Sequence, residues 1–445
     1  MSRGRGRSIG SRLLGAGLAV AVAATLGACG GPLSSIKNPF TKKEVRLPGE
    51  RVSVITDPGQ FNAGQVTSKP VALPPAKANA SWTQPGGIPS NNLGHLALAG
   101  GLTKAWSVDA GTGSSSSGRL SAVPLVAEGK VFTLDAAGNV SAFSSASGSR
   151  IWRTSLTPDN EKSSEGFGGG IALEGGKIYA TTGFGTVVAL DAGSGSIQWT
   201  KRLGEPIRNS PTVAGGKIFF VSSDNTLHAL DAGSGDELWK KRGLPQSATL
   251  LSNASPAVAG STVVAPFPAG DIIAYEVSSG KAAWADSLTR TSETTASGIL
   301  GDPARPVIDR DVVFAVSHGG RMIATSLSSG ARVWTRNVAS TQMPWVAGDA
   351  VYVVDTGGKL MAVGRSDGQV RWVADLPSSA RWSGPVLAGD RVWVISGDGL
   401  LVGADARNGQ LGSQIDLDTD VFVAPVVAGG RMYILSDDAD LIALN

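Results

Sequence analysis

One cysteine and three histidines among 445 residues leave this chain few soft ligands for a transition metal, and a single cysteine excludes an internal disulfide. The histidines, His95, His228 and His318, are scattered without metal-ligand spacing. No group of acids with amides suggests the six to eight oxygens a calcium site needs, and no Ser-His-Asp arrangement stands out from the many candidates. Charged residues make up only 17% of the chain, and no basic cluster beyond the first dozen residues points to nucleic acid. The apolar run at 13–26 is shorter than the ~20 residues a membrane-spanning helix requires. Stability must therefore come from packing, and chemistry has few side chains to use.

That apolar run is informative in its context. Arg3, Arg5, Arg7 and Arg12 precede it without an acidic partner, which is the pattern of a secretory signal. The run ends in Leu26-Gly27-Ala28-Cys29, and small residues before a lone cysteine resemble the lipobox of bacterial lipoproteins. The resemblance implies that Cys29 is lipidated and becomes the mature N-terminus. Removing residues 1–28, with four arginines and no acid, turns the formal charge from +3 to −1. Residues 29–80 are rich in Pro, Lys, Ser and Ala without a period of 2 or 3.6, and read as a flexible linker. Fifty such residues span roughly 40 Å as a loose coil.

What the chain has in abundance is glycine, 60 residues of it, placed at regular intervals. The stretch PTVAGGKIFFVSSDNTLHALDAGSGDELW, residues 211–239, contains four short runs separated by Gly215-Gly216, Ser223-Asp224-Asn225 and Gly233-Ser234-Gly235. Gly, Asn and Asp tolerate the positive φ of tight hairpins, and Ile218, Phe219, Phe220 and Val221 favour a pleated surface. The unit reads as a four-stranded antiparallel meander. Its frame, Ala-x-Asp-x-x-Ser-Gly-x-x-x-Trp, recurs at Ala142 to Trp152, Ala189 to Trp199, Ala229 to Trp239, Ala274 to Trp284, Ala324 to Trp334 and Ala362 to Trp372, and drifts at Gly403 to Ser413. An eighth copy starts at Pro425 and stops at Asn445 without its fourth strand; the orphan strand around Trp106, residues 102–108, can supply it.

A period of 40–50 residues with four strands per unit predicts an all-β fold: an eight-bladed β-propeller over residues 81–445, closed by the N-terminal strand pairing into the C-terminal blade. Closure removes the edge a linear array would leave. Pro124, Pro211, Pro256, Pro306, Pro344, Pro385 and Pro425 share one repeat position at the innermost strand, where a missing N–H donor is tolerated. Trp106, Trp152, Trp199, Trp239, Trp284, Trp334 and Trp372 share another, on the outermost strand, and are assigned to structural docking on the next blade's turn. The glycine-rich stretches 111–118 and 163–170 lack the strand-to-helix context and the lysine of a phosphate cradle, so they read as loops. Asp437, Asp438 and Asp440 read as a solvated hairpin turn.

The repeat frame resembles the tryptophan-docking repeat of the pyrroloquinoline quinone (PQQ) enzymes, a family of eight-bladed propellers. With the lipobox, the length and the segment Trp82, Gly86-Gly87, Ala105-Trp106, the chain resembles the BamB-type lipoproteins of the outer-membrane β-barrel assembly (BAM) machinery over residues 81–445. That resemblance implies a non-enzymatic scaffold at the periplasmic face of the outer membrane, binding the POTRA domains of BamA and other BAM subunits and assisting unfolded outer-membrane proteins. In that family, loops leading into the middle blades carry the contact, one with two leucines and an arginine, the next with an Asp-x-Asp pair. The matching segments here are 249–256 and 299–306. Leu250, Leu251, Leu300 and Asp302 are the partner-binding candidates, but the first segment lacks the arginine and the second has a single aspartate.

Two other readings stay open: a PQQ-dependent periplasmic dehydrogenase and a propeller that binds glycan or peptidoglycan at a channel mouth. The larger alcohol-oxidising PQQ enzymes place a disulfide of adjacent cysteines against the quinone and hold calcium. This chain has only Cys29, so no cofactor is expected and PQQ is disfavoured.

Overall fold

Blade 3 shows how the repeat folds. Its strands are Thr212–Ala214, Lys217–Val221, Thr226–Asp231 and Glu237–Arg242, paired in sequence order and antiparallel. Gly215 and Gly216 take φ of 58° and 72°, the two left-handed positions of a tight hairpin. The second strand is buried on both faces, with Ile218, Phe219 and Phe220 all 0% exposed, whereas the outermost strand alternates. Middle strands lie between two neighbouring blades and need continuous apolar runs; only the outer strand meets water.

The computed structural model describes residues 66–67, 69–116, 118–243, 254–289, 303–377 and 381–445. Among them, 32 strands form eight four-stranded antiparallel sheets. Blades 1 to 7 span 125–155, 169–202, 212–242, 257–287, 307–337, 345–375 and 382–416. Blade 8 combines Val426–Ala428, Arg431–Leu435 and Asp440–Leu444 with the N-terminal strand Lys104–Asp109, paired so that Trp106 faces Ala443 and Asp109 faces Asp440. The expected closure is therefore present. Asp437 and Asp438 lie in the turn between the last two strands, as their spacing predicts.

The Ala-x-Asp-x-x-Ser-Gly frame builds a platform between the third and fourth strands. Asp231 accepts hydrogen bonds from the backbone N–H of Gly233 at 2.8 Å and of Ser234 at 2.9 Å, and these bonds hold its pKa below the ordinary carboxylate value. A bulge follows Ala229, which pairs with Trp239 while Leu230 pairs with Glu237. Gly235, at φ 76°, completes the turn, and a Cβ on it would stand 2.8 Å from the ring of Trp199 in the preceding blade. Glycine is required there twice, for its backbone and for the indole lying over it.

The approach to the ring is not a free linker throughout. Thr67 N–H donates to the Val370 carbonyl at 2.8 Å, Ala72 N–H to Asp349 Oδ1 at 2.8 Å, and Val71 is 4% exposed. Residues 69–80 form no named strand and are bonded to blade 6 and to the segment that follows. His95 fastens the two together: Nδ1 bonds the Pro74 carbonyl at 2.7 Å and Nε2 accepts the Asp390 N–H at 3.0 Å. Both nitrogens are used structurally, which fixes the tautomer.

Residues 79–96 then run once around the axis, touching the innermost strand of every blade in ring order. Asn79 accepts from Gly429 of blade 8 at 2.6 Å. Trp82 exchanges two bonds with Val126 of blade 1, and Thr83 accepts from Leu173 of blade 2 at 2.8 Å. Gln84 Oε1 accepts from Val213 of blade 3 at 3.0 Å. Pro89 and Ser90 accept from Val258 and Ile308 of blades 4 and 5 at 2.7 and 2.9 Å. Gly94 accepts from the Trp345 indole of blade 6 at 2.7 Å, and Leu96 pairs with Leu387 and Gly389 of blade 7. This strap thus links the innermost strands of all eight blades.

Candidate functional site

All seven repeat tryptophans do the same structural work. The Nε1 donors of Trp106, Trp152, Trp199 and Trp239 bond the carbonyls of Ser145, Ala192, Ala232 and Val277, each in the next blade, at 3.3, 3.2, 3.3 and 3.1 Å. Trp284, Trp334 and Trp372 reach Leu327, Arg365 and Ala406 at 2.7, 2.9 and 3.1 Å. Ser413 takes the tryptophan position in blade 7. The next blade's third and fourth strands are 440–444 and 104–109, not joined by a turn, so an indole there would have nothing to dock on.

The expected anchor and partner residues fall elsewhere. Leu26, Gly27, Ala28 and Cys29 lie outside the described residues, as do Leu250, Leu251, Leu300 and Asp302. The described ends of the two partner segments are nevertheless brought together: Arg305 Nε donates to Ser255 Oγ at 3.3 Å, joining the approaches to blades 4 and 5. Sequence reasoning finds no arginine in the first segment; the fold supplies one from the second.

The segments leading into the innermost strands line an axial funnel of about 330 Å³, to which the strap contributes Trp82 and Pro85. Trp82 is 2% exposed and stacks on Trp345 with centroids 6.0 Å apart. The Trp82 Nε1 donor has no acceptor among the described residues. Arg119, Arg305 and Arg381 stand on the walls, and no aspartate or glutamate lines the funnel among the described residues. The guanidiniums of Arg119 and Arg381 share the Phe422 ring, at 4.0 and 3.9 Å from its centroid. Removal from water lowers the Arg305 pKa to about 10, and burial followed by repulsion from Arg119 lowers that of Arg381. Asp437, held by Ser114 Oγ at 3.2 Å, tempers Arg119 and Arg381 from a distance, and burial raises its own pKa.

No composition signal marks these arginines. They lie within five residues upstream of the aligned prolines Pro124, Pro306 and Pro385, and reading the residues before each proline would have gathered them. Among the described residues the funnel presents cations without the carboxylate oxygens that hold calcium, and the chain has no adjacent cysteine pair. Among the described residues, no cluster of three or more His, Cys, Asp and Glu side chains is placed for a metal, and no helix is long and apolar enough to cross a membrane.

Eight four-stranded blades, tryptophan docking between neighbours and an axial strap define a closed β-propeller of the PQQ-like repeat class. Within that class, the family described as outer membrane protein assembly factor BamB matches residues 96–166, 136–374 and 373–445, and the chain belongs to it. The BamB of Escherichia coli is 34% identical over 243 residues, 54% of this chain and 62% of that protein. The chain thus matches somewhat under two thirds of that relative's length. The crystal structure of BamB from Moraxella catarrhalis has the same fold, with a TM-score of 0.65 at 20% identity over 78% of this chain and 98% of that one. A quinohemoprotein alcohol dehydrogenase from Comamonas testosteroni also shares the fold, with a TM-score of 0.64 at 15% identity over 83% of this chain and 81% of that one.

Proposed function

We infer that the chain is a non-enzymatic scaffold in outer-membrane protein assembly, tethered by a lipid on Cys29 at the periplasmic face of the outer membrane and bound to BamA POTRA domains. The observation that carries the reading is the family match across the whole ring, residues 96–445. Relatives in that family bear the name of outer membrane protein assembly factors. The pairing of Arg305 with Ser255 supports the contact surface, since it sets the approaches to blades 4 and 5 side by side, with Leu250, Leu251, Leu300 and Asp302 just upstream. Interfaces concentrate binding energy in a few such anchors. A funnel with no carboxylate among its described lining residues supports a reading without a calcium-quinone cofactor or dehydrogenase activity. Several acyl chains, at ~0.8 kcal/mol per buried CH₂, would make the anchor stable.

Affinity purification from solubilised envelopes, followed by mass spectrometry, tests the reading. Barrel-assembly subunits should co-purify, and Leu250→Glu combined with Asp302→Arg should abolish BamA recovery without lowering Tm. Retained recovery would move the contact elsewhere. Missing assembly subunits together with quinone-dependent dye reduction would favour the dehydrogenase, and retention on peptidoglycan alone would favour a glycan-binding role.

A further inference from the structure

We propose that the axial funnel is a receptor for the carboxyl end of an extended polypeptide whose last side chain is apolar. The inference rests on the funnel alone and is separate from the barrel-assembly reading.

Three features of the funnel select the ligand. Strap residues Trp82 and Pro85 form part of its lining, which favours a ligand that enters by an end. Its volume of about 330 Å³ suits the last residue or two of a chain. Among the described residues its donors are in excess: Arg119, Arg305 and Arg381 face no lining carboxylate, and the buried Trp82 Nε1 lacks an acceptor. Guanidinium groups bind carboxylates through two parallel N–H bonds, and a buried donor without a partner is costly, so an incoming carboxylate answers both needs.

Beside Ser121, Thr341 and Gln342, the lining carries an apolar part with Val123, Met343, Trp345, Val386 and Phe422, which favours an aliphatic or aromatic side chain beside the carboxylate. The rest of the peptide has somewhere to go. A second cavity of about 300 Å³ shares Thr341, Gln342 and Arg381 with the funnel and reaches the turns at His318 and Asp355 in blades 5 and 6. An extended segment leaving the funnel can follow this groove across the face.

The test is fluorescence anisotropy of purified full chain with an N-terminally labelled hexapeptide, Gly-Ser-Gly-Ser-Val-Phe, as the free acid and as the C-terminal amide. The acid should bind at least about tenfold more tightly than the amide, the effect expected of lost charge-assisted hydrogen bonds. Arg305→Gln should weaken the acid by about tenfold and leave the amide unchanged. Should Arg305→Gln lower Tm, Arg381→Gln serves in its place. Equal affinity for acid and amide, or wild-type affinity in both arginine variants, would overturn the proposal. So would binding of benzoate or inorganic phosphate without binding of the peptide.

Discussion

The contact between Trp239 and Gly280 offers a sharp test of how the ring is held. Trp239 donates to the Val277 carbonyl at 3.1 Å, packs 5.9 Å from Phe219 in its own blade, and covers Gly280 in the next. Its indole is half-buried, so Trp239→Ala should cost ~3 kcal/mol, the low end of the range for such truncations. Gly280 sits at φ 64°, and a Cβ there would stand 2.7 Å from the indole. Gly280→Ala should therefore cost about 1–2 kcal/mol for the left-handed backbone and another ~1–3 kcal/mol for overpacking. In the double variant the overpacking vanishes, and only the backbone cost of the alanine adds to the loss of the indole. The two changes should thus fall short of additivity by about 1–3 kcal/mol, the overpacking term alone. Equilibrium urea unfolding of the four proteins, followed by circular dichroism, measures this. Additivity within ~0.5 kcal/mol would show that the glycine does not serve the tryptophan and would refute the docking argument.

Three further outcomes are expected. Trp82→Ala should lower stability by ~3–5 kcal/mol in the same urea assay, because a 2%-exposed indole on the strap loses its stack on Trp345. Ser413→Trp should change stability by no more than ~0.5 kcal/mol, since no turn awaits it. Asp191 and Asp231 have pKa values lowered by hydrogen bonds from Ser194 and from Ser234 with Gly233 respectively, so their stabilisation is present above the unfolded value and lost as pH falls through the lower folded one. Thermal melts at steps from about pH 5 down to about pH 2 should fall less steeply for the Asp191→Asn, Asp231→Asn double variant than for the parent.

The blades were legible because each repeats the same local solution. Glycine pairs mark the hairpins, continuous apolar runs mark the doubly covered strands, and the incomplete last copy points to Trp106 as the strand that completes it. The position of every docking tryptophan followed from the frame; the reason Ser413 departs from it did not, since it depends on a turn that blade 8 does not have. The strap escaped notice because residues 79–96 meet each blade through only a few backbone or side-chain contacts, and such contacts impose no period on a sequence. The arginines of the funnel were harder to see for a related reason. Arg119, Arg305 and Arg381 are distant in the chain and stand at different offsets before their prolines, so only the alignment on those prolines hints at what the radial geometry gathers.

The strap also acts as a gauge of circumference. Its eight points of attachment are met in ring order by a segment of fixed length, so all eight innermost strands must stand at their proper spacing before the last of them can be made. A ring one blade short, or one blade too wide, would leave donors on the strap or on a strand without partners. Residues that lie ahead of every blade in the chain thereby register whether the count of blades is complete.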